Sequence, residues 1–192
     1  MIYSDSRIVT PGAANAEYQY RGNSIFDPYQ TGIGQQPRGY DEYSALYGKY
    51  YVVKSSISVI VKSFAGTQDP FMLAIYPYGG GDSDMENLTL SSDPQNWYAQ
   101  DRIKMIMPGG NDLGTDANQL RYMATTKQVM GKGHDRNDLV TYTSANPLQG
   151  WTWSMNIQRI HDLTTPAAQQ VTLLTTIVYD VIFSDPRNFS ES

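Results

Sequence analysis

From Val171 to Phe183 the chain sets Val171, Leu173, Thr175, Ile177, Tyr179, Val181 and Phe183 on one parity and a mixed set on the other. A period of two is the mark of a half-buried β-strand, because helical side chains repeat every 3.6 residues. A run of about 15 residues would reach roughly 50 Å at ~3.3 Å per residue. A strand that long twists strongly and suits two packed sheets better than one flat sheet. Trp151, Trp153, Met155 and Ile157 alternate in the same way with Thr152, Ser154, Asn156 and Gln158. So do Val53, Ser55, Ile57, Val59 and Val61 against Lys54, Ser56, Ser58, Ile60 and Lys62.

Shorter strands are expected in "AEYQYRG", in "PFMLAIYPY" (Pro70–Tyr78), in "RIKMIM" and in "DLVTYTS". "QLRYMATTKQVMG" fits helix or strand, and "YMATTK" favours strand. "YDEYSALYGKY" has room for one or two helical turns, with Asp41 as N-cap and Gly48 as stop. Residues 1–24 are a polar segment with little pattern. Seven or eight strands, unequal connections and almost no helix predict an all-β chain. The expected fold is a single jelly-roll β-sandwich of two packed antiparallel four-stranded sheets with long loops, one domain over residues 1–192.

Composition narrows the function. The chain has no Cys, hence no disulfide framework and no Cys-ligated zinc. No run of 18 apolar residues offers a membrane-spanning helix. The 14 basic and 19 acidic residues give a net charge of −5, which argues against a free-standing nucleic-acid module. Only 17% of residues are charged and 15 are Tyr, a balance suited to burial against other copies or to an ordinary β domain. His134 and His161 are the only histidines, and neither sits in a catalytic motif, so no enzyme and no cofactor is expected. Asp82, Asp84 and Glu86 alternate in "GGGDSDMEN", a weak calcium candidate whose spacing fails the EF-hand pattern and which also reads as a solvated acidic loop. Lys54, Lys62, Arg102 and Lys104 could meet nucleic acid if their strands line one surface; otherwise they are solvated charges. A carbohydrate-binding β-sandwich module is the alternative function, with Trp97, Trp151 and Trp153 as stacking faces. The alternation of Trp151 and Trp153 with Met155 and Ile157 places those two in the core instead.

Two patches carry a resemblance. "NSIFDP" followed by "GQQPRGYDEYSALYGKYYVVKSSISV", and "KQVMGK" followed by "YTSANPLQGWTWSMNIQ", resemble the capsid proteins of small circular single-stranded DNA viruses that encode a replication initiator. Asn23, Ser24, Asp27, Pro28, Gln36, Pro37, Gly39, Asp41, Tyr47, Tyr50, Val52, Ser55 and Ile57 occupy the positions of the first pattern. Asn146 and Pro147 occupy those of the second. The likeness runs from Asn23 to Gln158. It implies a jelly-roll subunit that self-assembles into a small T=1-like icosahedral shell of sixty copies around a circular single-stranded DNA genome. It also implies a virion location and assembly in the host cell, with the nucleus as one site. Tyrosines of the first patch would pack on a neighbouring subunit or staple the turn to its own sheet. Family members carry an Arg/Lys-rich N-terminal arm. Here residues 1–24 offer only Arg7 and Arg21, which leaves three readings: a truncated arm, another basic surface, or a shell assembled without a genome.

Overall fold

The computed structural model describes residues 1–9, 16–30, 35–63, 71–79, 102–108, 118–131, 133, 137–159 and 170–187. In chain order these form β1 (Ile2–Val9), β2 (Ala16–Arg21), α1 (Tyr40–Leu46), β3 (Tyr47–Ser63), β4 (Phe71–Gly79), β5 (Lys104–Ile106), β6 (Gln119–Thr125), α2 (Thr126–Met130), β7 (Thr141–Tyr142), β8 (Trp151–Arg159) and β9 (Val171–Pro186). One sheet runs β1-β9-β3-β6, with the two-residue β7 also beside β3; the other runs β2-β8-β4-β5. All pairings are antiparallel. With β7 set aside, the first strand pairs the last, the second pairs β8, β3 pairs β6 and β4 pairs β5. That nesting is one long antiparallel ribbon folded over and rolled into two sheets, which defines a jelly roll. The expected fold is present, with β7 as a short fifth member of one sheet.

The core lies between the sheets. Trp151, Trp153, Met155 and Ile157 of β8 are fully buried, as are Val171, Ile177 and, within a percent, Leu173 and Tyr179 of β9. The two indoles meet edge to face at 5.1 Å. Each buried indole N–H must find an acceptor. Trp153 donates to Ser55 Oγ at 2.9 Å, and Trp151 donates to Thr126 Oγ1 at 3.2 Å. This explains a hydroxyl on the inward face of β3.

Several expectations change. Residues 1–24 contain, besides the expected strand in "AEYQYRG" (β2), a full strand that was not expected, β1. The inward face of β1 is Tyr3, Asp5, Arg7 and Val9, so two of its four positions are charged and the apolar period is lost. The polar face of β8 is not in water: Ser154, Asn156 and Gln158 are buried. In β3 the register against β9 shifts between Val52 and Lys54, a bulge that adds one residue. Tyr50 and Val52 therefore face the core before it, and Ser55, Ile57, Val59 and Val61 after it. Val53, expected inside, is only half-buried. Helix α1 starts from Gly39, not from an Asp41 cap. Gly39 has φ 85°, a left-handed conformation that glycine takes without strain. Asp41 lies in the first turn, and Gly48 is already inside β3. "QLRYMATTKQVMG" divides at Thr125. The Thr125 hydroxyl accepts from the Gln128 N–H at 3.1 Å, and Gln128 Oε1 accepts from the Thr125 N–H at 3.0 Å. This capping box starts α2.

Candidate functional site

Residues from the two sequence patches, 95 to 128 positions apart in the chain, meet at one end of the sandwich. The Arg21 guanidinium at the end of β2 holds Asp27 Oδ2 at 2.7 Å, the Asp27 carbonyl at 2.7 Å and the Tyr29 carbonyl at 3.1 Å. Between them the chain turns over Trp151. Gly22 N–H donates to the Trp151 carbonyl at 2.7 Å, and a Cβ on Gly22 would fall 2.1 Å from the indole. Asn23 then closes the start of β8. Its Nδ2 donates to the Gln149 carbonyl at 3.0 Å, and its Oδ1 accepts from the Trp151 N–H at 2.9 Å. Ser24 Oγ donates to Asn146 Oδ1 at 2.6 Å and shares a 3.0 Å hydrogen bond with the Tyr50 hydroxyl. With the Ser24 proton on Asn146, the Tyr50 hydroxyl proton is shared between Ser24 Oγ and the Ala145 carbonyl, also 3.0 Å away. Tyr50 has no exposed surface. Burial disfavours its phenolate and pushes its pKa up to about 12. Tyr50, Ser24 and Asn146 thus tie β3, the 22–30 turn and the 143–150 turn together inside one molecule.

The turn before α1 is built in a similar way. Gln36 Nε2 donates to the Phe26 carbonyl at 3.3 Å, and the buried Pro37 offers its carbonyl to the Tyr40 N–H at 3.0 Å. Tyr40 is buried and donates its hydroxyl to the Thr143 carbonyl. Asp41 is exposed, and its carbonyl accepts from Ser44 Oγ at 3.0 Å. Tyr47 is half-buried, 5.7 Å from the Phe183 ring, on which the exposed Tyr43 stacks at 4.9 Å. Two of the patch tyrosines, Tyr40 and Tyr50, therefore staple the fold, whereas Tyr43 and Tyr47 keep accessible ring surface. Asn146 and Pro147 border a small cavity of about 190 Å³ with Arg21, Asn23, Ser24 and Trp151.

The four candidate nucleic-acid residues separate. Lys54 is paired with Asp180 at 3.0 Å. Lys62 stands exposed at the far end of the outer face of β3, roughly 26 Å away at ~3.3 Å per residue. Arg102 and Lys104 flank Tyr122 instead. Lys104 Nζ lies 5.0 Å from the Tyr122 ring centre and donates to the Arg121 carbonyl at 3.4 Å. Burial raises the Tyr122 pKa, and the nearby Arg102 charge partly opposes that. A groove of about 610 Å³ joins Lys104, Arg121 and Tyr122 to Ser56, Ser58 and Ile60 on β3. Among the described residues Arg102, Lys104 and Arg121 have no carboxylate within ion-pair distance. Arg121 and Tyr122 escaped the sequence reading. The signal was available: Arg121 shares the outward parity of β6 with Met123. Asp82, Asp84, Glu86, Trp97, His134 and His161 lie outside the described residues. Trp151 and Trp153, being fully buried, offer no face to a sugar.

No family model and no curated protein matches this sequence. Among solved structures, a chain of the nora virus structure aligns with a TM-score of 0.53 at 14% identity, over 100% of this chain and 60% of that one. A chain of broad bean stain virus aligns with a TM-score of 0.49 at 10% identity, over 100% and 93%. A chain of an expanded equine rhinitis A virus particle, a picornavirus capsid, gives 0.48 at 10%, over 100% and 78%. At 14% identity the nora virus likeness is one of fold.

Proposed function

We propose that this chain is the structural subunit of a viral capsid, built as a small T=1-like shell of sixty copies around a circular single-stranded DNA genome. The observation that carries the reading is the corner at Asn23, Ser24, Asp27, Tyr50 and Asn146. Five of the residues that gave the resemblance, drawn from both patches, take part in one hydrogen-bonded junction of a jelly roll. Chance matches to a sequence pattern have no reason to converge in space. The virus-derived fold neighbours point the same way.

The genome surface in this reading is the Arg102–Lys104–Arg121 edge with Tyr122. Three cations that have no carboxylate partner among the described residues, set along a groove, suit single-stranded nucleic acid on a chain of net charge −5. The purified chain should form uniform closed particles by electron microscopy and protect single-stranded DNA from nuclease. Alanine at Arg102, Lys104 and Arg121 should leave the particles intact and flatten the salt dependence of DNA binding by about two units of log–log slope. Particles that never form would remove the capsid reading. An unchanged slope would remove the genome surface alone.

A further inference from the structure

Across the first sheet the register sets Arg121 of β6 opposite Ser58 of β3, Ser58 opposite Thr176 of β9, and Thr176 opposite Ser4 of β1. All four lie on the outer face, because their chain neighbours Leu120, Ile57, Ile177 and Tyr3 are buried in the core. At ~4.8 Å per strand the row spans roughly 14 Å. Each of its side chains can donate a hydrogen bond. Two grooves follow the row. One, of about 610 Å³, is lined by Arg121, Ser58 and Thr176; the other, of about 640 Å³, is lined by Thr176 and Ser4. Thr176 lines both, so together they run from β6 to β1.

The cationic end of the row is already organised. Arg121 Nη2 donates to Gln119 Oε1 at 3.0 Å, and Gln119 Nε2 donates to Ser58 Oγ at 2.8 Å. With its oxygen accepting from Gln119, the Ser58 hydroxyl keeps its own proton for an acceptor in the groove. Lys104 reaches the same place from β5, its ammonium 3.4 Å from the Arg121 carbonyl. The charge of the face agrees. The outward positions of Ile2–Ile8, Ser56–Lys62, Gln119–Met123 and Thr172–Val178 include no carboxylate, in a chain with 19 acidic residues. Their charges are Arg121 and Lys62 alone. Asp5 also lines the second groove, but it belongs to the inward face of β1. Its carboxylate is held by Arg7 Nε at 2.6 Å and by the Tyr20 hydroxyl at 2.9 Å.

We propose that this row is a track for the phosphodiester backbone of single-stranded nucleic acid, which enters at Arg121 and crosses the outer face to Ser4. The proposal rests on the genome surface described above and extends it from the cationic edge across all four strands. Arg121 and Lys104 supply positive charge at the entry. The hydroxyls of Ser58, Thr176 and Ser4 donate to successive phosphate oxygens along the groove. Contacts of this kind fix the path of a strand without reading its bases, so the track is indifferent to sequence.

Binding of a labelled oligothymidylate to the full chain across a salt series tests the track. Ser4 is exposed at the far end of the row, three strands from Arg121, so a change there leaves the three cations in place. Ser4→Lys should steepen the log–log salt dependence by about 0.7 units. Leu148→Lys, on the 143–150 turn away from this face and 90% exposed in the parent, should leave the slope unchanged. Thr176→Val keeps the β-branched shape that a strand favours. It should hold the melting temperature and weaken binding about tenfold at constant slope, the loss of one hydrogen bond to a charged phosphate. Equal slopes in the two lysine variants, or wild-type affinity in Thr176→Val, overturn the track. If alanine at Arg102, Lys104 and Arg121 flattens the slope while Ser4→Lys does not steepen it, the genome edge stands and the track falls. If neither set moves the slope, both fall. A Ser4→Lys chain with unchanged DNA binding and a lower solution mass would make this face a contact between copies and overturn the proposal.

Discussion

Asn23→Ala isolates the junction on which the account depends. The Asn23 side chain is almost fully buried and makes two hydrogen bonds, one to the Gln149 carbonyl and one from the Trp151 N–H. Alanine removes both partners at once. The Trp151 N–H sits at the head of a central strand with its indole in the core, so water reaches it poorly. A buried polar group left unpaired costs roughly 1–3 kcal/mol, and the small cavity adds to that, so the total should be about 3–4 kcal/mol. For a chain of this size that corresponds to a fall in melting temperature of roughly 6–16 °C. Urea denaturation followed by tryptophan fluorescence measures it directly, because Trp151 and Trp153 report the core. The midpoint should fall with an unchanged m-value. Asn23→Asp should be nearly as damaging, since it keeps an acceptor for Trp151 but sets a carboxylate against the Gln149 carbonyl. A loss below about 0.5 kcal/mol in either variant, the size of an ordinary surface effect, would refute the structural role of the corner.

Trp153→Ala should cost about 3–5 kcal/mol, since it empties a fully buried site and takes the indole N–H away from Ser55 Oγ; an unchanged urea midpoint would contradict the core assignment. Gly22→Ala should destabilise by about 3 kcal/mol, at the upper end of overpacking, because the indole 2.1 Å from the new Cβ has no free space to enter. A wild-type melting temperature in that variant would contradict the turn geometry. Stability should also fall in alkali. Tyr50 ionises near 10 when unfolded and about 12 when folded, so its neutral form favours the fold fully below pH 10 and that contribution, about 3 kcal/mol, is lost as pH rises to about 12. Tyr50→Phe should blunt that alkaline loss, which a series of urea midpoints from pH 8 to 11.5 would measure.

The long strands were legible because their inward faces are almost purely apolar and their period is clean. β1 was not. Its Asp5 and Arg7 point inward at an edge, where Arg7 Nε meets Asp5 Oδ2 at 2.6 Å, Tyr20 donates to Asp5 at 2.9 Å and Arg7 lies 3.6 Å over the Tyr29 ring. Partners that arrive from other strands cancel the cost of burying these charges, and no local pattern announces them. The bulge at Val53 was equally silent, because it changes parity without changing composition. Asp41 looked like the cap of α1, because the positive φ that makes Gly39 its start is not visible in the sequence. At the corner, spacing alone said nothing: Ser24 and Asn146 become neighbours only through the roll of the sheets. The basic residues were named correctly as cations but not as a group, since Lys54 is matched by Asp180 across β9 whereas Arg121 joins Lys104 from the adjacent strand.

The mass of the purified chain in solution, by light scattering on a sizing column at low and high salt, tests the central claim most directly. A shell of sixty 21.5 kDa subunits weighs about 1.3 MDa, and a peak there is the expected result. A peak at 21.5 kDa in both salts would contradict the claim that this jelly roll is a capsid subunit competent to build its own shell.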